Sequence, residues 1–478
     1  ATPRCAGWRL ARVVDFLQRR SLFQEGEAAF ANALAALPAA SLAARATGWL
    51  QARLQIAQAG MLNSLTQYQE AAALARAVLA FATAHQDTLL VALGCLQWGT
   101  ALYRQGFFDD ALTQLGQGLA TLVSAQPAGE LPVEADLRLR IAATLLEKGE
   151  LAPARAELEL ALAIYRQVGL RTGEGDALTG LGWLEQRAMN LAAAQAHLTD
   201  ALTIQRELNL QHGVTLTLIN LANVHELQGD FSGAYNLRRE ALDVLERIDD
   251  RFHRSLLNHG LGVMLSRLGD YAQAHHYYER ALALDREIGD SAGIAWTQNN
   301  LGLLYHHLGK FELALALHQD ALRIAREQGA RTIEGLALSR VGQDLHALGR
   351  LDEALAALQA AIEIQQELHQ TVWEIESTAE LATTYLDGAQ PEQALTLVDA
   401  LLPRLKANRT LHGAREPFRV YWNCYSVLAA NHDPRAAGLL AAAGDDLRGQ
   451  ADSIQDAALR RSFLENVPAH RLIMRAAA

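Results

Sequence analysis

A 40-residue period constrains the fold of this chain more than any other feature of its sequence. It is marked by an alanine that recurs at seven positions, each 40 residues after the last: Ala154, Ala194, Ala234, Ala274, Ala314, Ala354 and Ala394. Earlier copies, at Ala111, Ala71 and Gly26, precede it at intervals of 43, 40 and 45 residues. A fixed period of roughly 20–50 residues is typical of proteins in which each repeat packs against its neighbours. The sequence therefore predicts about ten stacked repeats.

Each repeat has the pattern of two helices joined by a tight turn. A small residue lies twelve positions before the anchoring alanine: Ala59, Gly99, Ala142, Gly182, Ala222, Gly262, Gly302, Gly342 and Ala382. Since glycine inside a helix costs about 1 kcal/mol relative to alanine, its recurrence there indicates close packing of a neighbouring helix. A second glycine, expected to end the first helix, lies five positions before the anchor: Gly106, Gly149, Gly229, Gly269, Gly309 and Gly349. We therefore predict an all-α array of antiparallel hairpins.

The order of small residue, turn glycine, aromatic residue or leucine, and anchoring alanine resembles the tetratricopeptide repeat. The usual repeat has about 34 residues, so this array is similar to the extended form found in kinesin light chains and bacterial regulators. The resemblance covers roughly residues 8–403 and implies a right-handed α-solenoid over residues 1–403. Residues 406–416 are expected to be a polar connector within a second region, residues 404–478. That region is predicted to form a degenerate last repeat and a C-terminal helical cap, which a solenoid needs to cover its last apolar face.

The tail of the chain carries a second resemblance. Residues 460–468 resemble the end of bacterial regulators of the STAND NTPase class, such as the maltotriose-responsive transcription activators. In those proteins a nucleotide-switch ATPase precedes a tetratricopeptide sensor array. The resemblance implies that this chain is the sensor module of a larger signalling ATPase, and its start at Ala1 without methionine is interpreted as excision from a longer protein. The alternatives are a free-standing scaffold for protein–protein interaction and, third, an enzyme with a dispersed active site.

Charge and motif content disfavour several other classes of function. A net charge of −11 is a poor match for the nucleic-acid backbone. The chain has no apolar run of about 20 residues, as a membrane span needs, and no secretory signal, so a cytoplasmic location is expected. Three dispersed cysteines, Cys5, Cys95 and Cys424, suggest buried apolar residues rather than a disulfide framework. Without a P-loop, zinc-ligand spacing or a nucleophile elbow, we expect no catalysis, no cofactor and no metal.

The resemblance also implies where a ligand binds. In tetratricopeptide arrays the first helix of each pair lines the concave surface, and its exposed positions lie two and three before the small residue and one and four after it. The candidate ligand-binding residues read off in this way are Asn220, Asn223, Glu226, His259, Asn299, Asn300, His306, Arg340, Gln343 and His346. Residues 297–302 further resemble the asparagine-containing helix of peptide-binding kinesin light chains. The predicted ligand is a peptide, a protein or a small effector in the superhelical groove.

Overall fold

The computed structural model describes residues 23–35, 44–65, 67–125, 131–409, 411 and 413–477, and the regular elements in these ranges are all α-helices. Two compact units divide the chain: residues 1–227 with 239–248, and residues 228–238 with 249–478. This division differs from the boundary predicted at residue 403, which remains a prediction. Within the described ranges, the structure contains no helix with the length and apolar character of a membrane span.

In its described residues, the first unit contains ten helices and part of an eleventh. They are α1 (Phe23–Ala35), α2 (Ala44–Ser64), α3 (Tyr68–Ala84), α4 (Thr88–Arg104), α5 (Phe108–Ala125), α6 (Leu131–Glu147), α7 (Leu151–Val168), α8 (Arg171–Arg187), α9 (Leu191–Glu207), α10 (Gln211–Leu227) and residues 239–247 of α11 (Phe231–Arg247). Successive helices from α2 to α9 pair as hairpins that stack in chain order. The helix predicted to pair with α1 falls in residues 1–22, outside the described residues, and so does Cys5.

The second unit includes residues 231–238 of α11, and its described residues form twelve further helices. Four hairpins come first: α12 (Arg251–Arg267) with α13 (Tyr271–Ile288), α14 (Ser291–His307) with α15 (Phe311–Glu327), α16 (Arg331–Ala347) with α17 (Leu351–Glu367), and α18 (Thr371–Asp387) with α19 (Pro391–Ala407). They are followed by α20 (Pro417–Ala430), α21 (Arg435–Ser453), α22 (Ala457–Glu465) and α23 (Pro468–Ala476). The prediction of an all-α array of hairpins is confirmed.

The repeating small residues have the packing roles that the sequence predicts. The anchoring alanines from Ala71 to Ala394 are fully buried wherever the structure describes them. A Cβ atom added to Gly182 would lie 2.4 Å from Cγ of Leu198, so the second helix leaves no room for a side chain there. The turn glycines adopt positive φ angles, 72° at Gly309 for example, which side-chain-bearing residues adopt only with strain.

The C-terminal region departs from the simple cap that the sequence suggests. A further helix, α23, begins at Pro468, where proline is favourable because its fixed φ suits the first turn of a helix. The region also returns to turns of earlier hairpins in the second unit. Nδ2 of Asn466 donates to the carbonyl of Gly269 (3.1 Å), and the N–H of Gln455 points to the carbonyl of Gly229 (3.4 Å).

Candidate functional site

The candidate site lies on the first helices of the four hairpins in the second unit. These helices, α12, α14, α16 and α18, contact one another in succession, and we call them the inner helices. Residues 413–423, which we call the groove segment, lie against three of them. The segment consists of an irregular part, residues 413–416, and the first turns of α20. Three of its side chains, those of Arg415, Glu416 and Arg419, make most of the polar contacts.

Arg415 is held by two tryptophans from different hairpins. Its guanidinium carbon lies 5.5 Å from the ring centroid of Trp296 on α14 and 5.9 Å from that of Trp373 on α18. Both distances are within the range of cation–π attraction. The indole N–H of Trp373 also points to the carbonyl of Gly413 at 3.4 Å. Among the residues that the structure describes, no carboxylate lies within ion-pair distance of Arg415, so the two aromatic rings are its close partners.

Glu416 is bound through both its side chain and its main chain. Its carboxylate forms an ion pair with Arg340 of α16 and a 2.8 Å contact with Nε2 of His307 on α14. Its N–H donates to Oε1 of Glu376 on α18 at 2.6 Å. Burial alone would raise the pKa of Glu416, but Arg340 and His307 hold that pKa well below its usual range. The carboxylate is therefore ionised, and three inner helices hold one residue of the groove segment.

Arg419 forms a two-pronged ion pair with Glu380 of α18. Its Nε and Nη2 atoms donate to the two carboxylate oxygens at 2.9 and 3.0 Å, the planar arrangement that makes such pairs strong. Asn423 donates to the same carboxylate at 2.9 Å, and His346 contacts it at 3.1 Å. Burial disfavours ionisation of Glu380, yet Arg419 and His346 together lower its pKa far below the usual range.

A chain of buried hydrogen bonds links this ion pair to the interior of a hairpin. Arg419 donates to Nε2 of His306 at 3.2 Å, so Nδ1 of His306 carries the proton that it shares with Asp344 at 2.7 Å. Asp344 also contacts Nδ1 of His318 at 2.5 Å, and Nε2 of His318 lies 3.0 Å from the carbonyl of Asn299. His318 packs against Gly302, a position that apolar or aromatic side chains take in other hairpins: Leu115, Leu198, Tyr278 and Leu358.

Most of the predicted ligand-binding residues of the second unit are covered, although the repeat pattern predicts them as exposed. The expectation of exposure is wrong for five of them, whose side chains are buried: Asn299, Asn300, His306, Arg340 and Gln343. The groove segment contacts His306 and Arg340 directly, which explains their burial. His346 and His259 are half-buried. The role of these residues in binding a ligand remains a prediction.

The predicted residues form two groups in the second unit and one in the first. His306, Arg340, Gln343 and His346 surround the groove segment, where Nη1 of Arg340 also donates to Gln343 at 2.8 Å. His259 and Asn300 are joined by a 3.2 Å contact between ring and amide nitrogens. Burial and the nearby Arg415 lower the pKa of His259 to about 4, so its ring is neutral near pH 7. The third group, Asn220, Asn223 and Glu226, lies half-buried on α10 of the first unit.

A cleft opens beside the groove segment, between α16, α18, α20 and α23. Its volume is about 840 Å³, open solvent at its mouth included. Trp422, Leu386 and Leu472 line its apolar side, while His346 and Asp387 lie on its polar side and contact each other at 2.8 Å. The cleft therefore combines an aromatic wall with ionisable groups.

The pattern of predicted positions missed several residues of the site. Trp296 and Glu376 lie six positions before the small residue of their repeats, so extending the periodic pattern by about one helical turn would have found them. Trp373 and His307 lie at other positions of their repeats, which the periodic pattern of predicted binding residues does not include. Arg415 and Glu416 lie in a polar stretch that carries no sign of burial, and their role depends on contacts with residues 40 to 119 positions away.

Comparisons with known proteins agree with this architecture. The family model for the tetratricopeptide repeat matches residues 213–287, 253–327 and 334–407. Among solved structures, the apo form of RapI is 14% identical with a TM-score of 0.54, and the alignment covers 80% of this chain and 97% of that one. At this identity the similarity supports the fold and carries nothing about function. A search of curated proteins gave no match.

Two further solved structures are less similar. One is a STAND protein with a tetratricopeptide repeat sensor from Pyrococcus horikoshii, with 13% identity and a TM-score of 0.47; the alignment covers 74% of this chain and 55% of that protein. The other is BtubC from P. vanneervenii, with 21% identity and a TM-score of 0.42; the alignment covers 46% of this chain and 92% of that one. With TM-scores below 0.5, these two structures add no argument about this chain.

Proposed function

The chain is a tetratricopeptide-repeat array, and we propose that it is a sensor module that binds a polypeptide on the inner helices of its second unit. The observation that carries this proposal is the binding of Glu416, whose carboxylate and N–H are both held by side chains of the inner helices. A surface that holds the main chain and the side chain of one residue has the chemistry to hold an extended peptide. The proposed activity is binding, without catalysis.

We place this sensor in a larger STAND-type signalling ATPase, with a cytoplasmic location. Support comes from the resemblance of residues 460–468 to the tail of such regulators. That tail is hydrogen-bonded to the turn after the inner helix α12, because Asn466 donates to the carbonyl of Gly269. A movement of α12 would therefore be transmitted to the tail through this contact. The alternative is a free-standing scaffold that gathers protein partners. A ligand alters the ATPase in this scheme only if it binds one conformation of the array more tightly than another.

A selection experiment tests the polypeptide-binding function. A random peptide library is selected against the purified chain and, in parallel, against a variant with Arg415→Ala and Glu416→Gln, which weakens the internal contact. Selected peptides are then measured by fluorescence polarisation on Arg340→Met and on the matched control Arg350→Met. Arg350 is an exposed residue in the same unit that pairs with Glu353. We expect affinity to fall at least tenfold in Arg340→Met and to be unchanged in Arg350→Met; failure to select any peptide with this dependence contradicts the proposal.

A small-molecule effector is the second candidate ligand, favoured by the cleft beside α20. The part of the cleft that a ligand can fill, about 340 Å³, is near the lower end of the range of small-molecule sites, roughly 300–1,000 Å³, and its aromatic wall with nearby ionisable groups is typical of such sites. Native mass spectrometry of the gently purified chain checks this candidate. A discrete added mass that is lost in a Trp422→Ala variant supports it, while a bare chain after incubation with host extract counts against it.

A further inference from the structure

We infer that residues 413–416 act as an internal ligand of the inner helices and that the external partner is a polypeptide segment in which arginine is followed directly by glutamate. The two compete for the same surface. This inference rests on the proposed peptide-binding function and specifies both its ligand class and its regulation.

The pocket around Arg415 is suited to an arginine side chain. Its two tryptophans come from hairpins separated by a third hairpin, and their rings lie 6.5 Å apart at 69° to each other. The guanidinium lies beside both rings, and a planar, weakly hydrated guanidinium packs against aromatic rings better than a compact, strongly hydrated ammonium group does. No carboxylate of the described residues lies within ion-pair distance of Arg415, so its direct contacts are with the aromatic rings, while the charge of Glu376 favours the guanidinium from farther away. The pocket is therefore expected to bind arginine in preference to lysine.

The adjacent pocket reads an acidic residue and fixes the direction of the chain. Arg340 and His307 approach the Glu416 carboxylate from two different helices, and both are buried, with side chains 4% and 7% exposed. The contact from the Glu416 N–H to Glu376 requires the main chain to run in one direction past α18. A segment with the two residues exchanged would place a carboxylate against the indoles and a guanidinium against Arg340. Like-charge contact of that kind is repulsive, so the order of the two residues matters.

The internal ligand leaves some buried hydrogen-bonding groups of the inner helices without a partner. Two side chains that contact Glu416 each have a buried nitrogen without a hydrogen-bond partner in the described structure: Nε of Arg340 and Nδ1 of His307. Buried polar groups are nearly always paired in folded proteins, so a surface that leaves two such atoms unpaired is not matched fully by its present occupant. An external peptide that pairs these atoms has an advantage that residues 413–416 lack.

Displacement of residues 413–416 does not require α20 to unfold. Arg419 and Asn423 connect α20 to Glu380 independently of Arg415 and Glu416. Phe418 and Val420 are buried at the start of α20, so apolar packing also holds the helix in place. The irregular stretch before Pro417 can therefore leave the inner helices while α20 remains on α18.

A defined peptide tests the inference. The probe is a fluorescein-labelled heptapeptide with the sequence of residues 413–419, Gly-Ala-Arg-Glu-Pro-Phe-Arg, and the control probe has its Arg and Glu exchanged. Both are titrated against the full chain and against the chain with Arg415→Ala and Glu416→Gln. We expect the probe to bind the variant at least tenfold more tightly than the unaltered chain. The exchanged probe should bind the variant at least tenfold more weakly than the native order does.

The possible outcomes separate this inference from the proposed function. If library-selected peptides bind in the Arg340-dependent way but the defined probe does not, or if both probe orders bind equally, the inference is wrong and the peptide-binding function stands. If the variant fails to fold, judged by circular dichroism, hydrogen exchange on the unaltered chain replaces it. An excess of the native-order probe should then speed exchange of the Glu416 amide at least tenfold, and unchanged exchange overturns the inference.

Discussion

Arg340 of α16 and Glu416 form an ion pair that joins positions 76 residues apart, with side chains only 4% and 12% exposed. The pair fixes the connector after α19 to the middle of the repeat array. It also explains why residues predicted to face solvent are buried. A surface that the repeat pattern marks as open is covered by a part of the chain outside the pattern.

Replacing Glu416 with glutamine should lower the free energy of unfolding of the second unit by about 2 kcal/mol. Removing one member of a fully enclosed ion pair costs roughly 3–5 kcal/mol, and the loss here is smaller because residues 413–416 can lift and hydrate Arg340. Urea unfolding followed by tryptophan fluorescence measures the change. Glu353→Gln, which removes an exposed partner of Arg350, is the matched control and should have little effect. Equal effects of the two substitutions would contradict the prediction.

Two glycines on α12 should respond in opposite ways to substitution by alanine. A Cβ atom at Gly262 would lie 2.6 Å from ring atoms of Tyr278, whereas one at Gly260 meets nothing within 4 Å. Gly262→Ala should therefore destabilise the protein by about 1–3 kcal/mol through overpacking. Gly260→Ala should stabilise it by roughly 0.5–1 kcal/mol, because alanine is the better helix former. Thermal unfolding of both variants checks the difference, and the same sign for both would refute the assigned packing.

Alanine at two turn glycines should distinguish docking of the C-terminal helices from backbone strain. Gly229 and Gly309 have similar positive φ angles, 76° and 72°. A Cβ at Gly229 would lie 2.0 Å from the carbonyl oxygen of Ser453, but at Gly309 it would meet nothing within 4 Å. Gly229→Ala should thus detach residues near the end of α21, and Gly309→Ala should not. Hydrogen exchange of α21 and α22 is the measurement; equal protection in both variants would mean that the contact at Gly229 is unimportant.

Acidification should weaken the docking of α23 through His470. This buried ring packs against Phe418 and Phe463, and burial lowers its pKa to about 4. An unfolded histidine has a pKa of about 6.5, so between these values the unfolded state binds more protons than the folded state. Stability should be highest above about pH 6.5 and fall as the pH decreases toward 4. Each pKa unit corresponds to about 1.4 kcal/mol, which gives a loss of roughly 3 kcal/mol from this group.

Denaturant titrations between pH 4 and pH 7 test this dependence in the unaltered chain and in His470→Gln. The glutamine variant should show a shallower loss of stability across that range because it lacks the titrating ring. His276→Gln changes an exposed histidine on α13 and serves as the control, with the slope of the unaltered chain expected. A His470→Gln slope as steep as that of the control would assign the acid sensitivity to other groups.

The fold followed from the sequence because the structural signal is repeated. Gly182 and its counterparts recur at a fixed distance from a fully buried alanine, and one physical requirement, close helix packing, explains every copy. The candidate site was predictable only in part. Periodicity identifies Arg340 and His306 as residues of the inner helices, but it contains no information on what covers them. Arg340 is buried where it forms a long-range ion pair with Glu416, a residue outside the repeat pattern.

The histidine at position 318 has a consequence for how far the repeats are interchangeable. In a hairpin whose small residue faces leucine, as Gly342 faces Leu358, the contact between the two helices is apolar. Such a contact needs no hydrogen-bond partner from the next repeat. In the hairpin of α14 and α15 the corresponding side chain is His318, whose ring is hydrogen-bonded to Asp344 of α16. Moving or deleting that hairpin would leave the buried Asp344 carboxylate of the neighbouring repeat without its His318 partner. The hairpins therefore share one packing arrangement, but they differ in the polar contacts that they make with the next hairpin. A hairpin exchanged within the second unit must be moved together with the neighbour that supplies its polar partner.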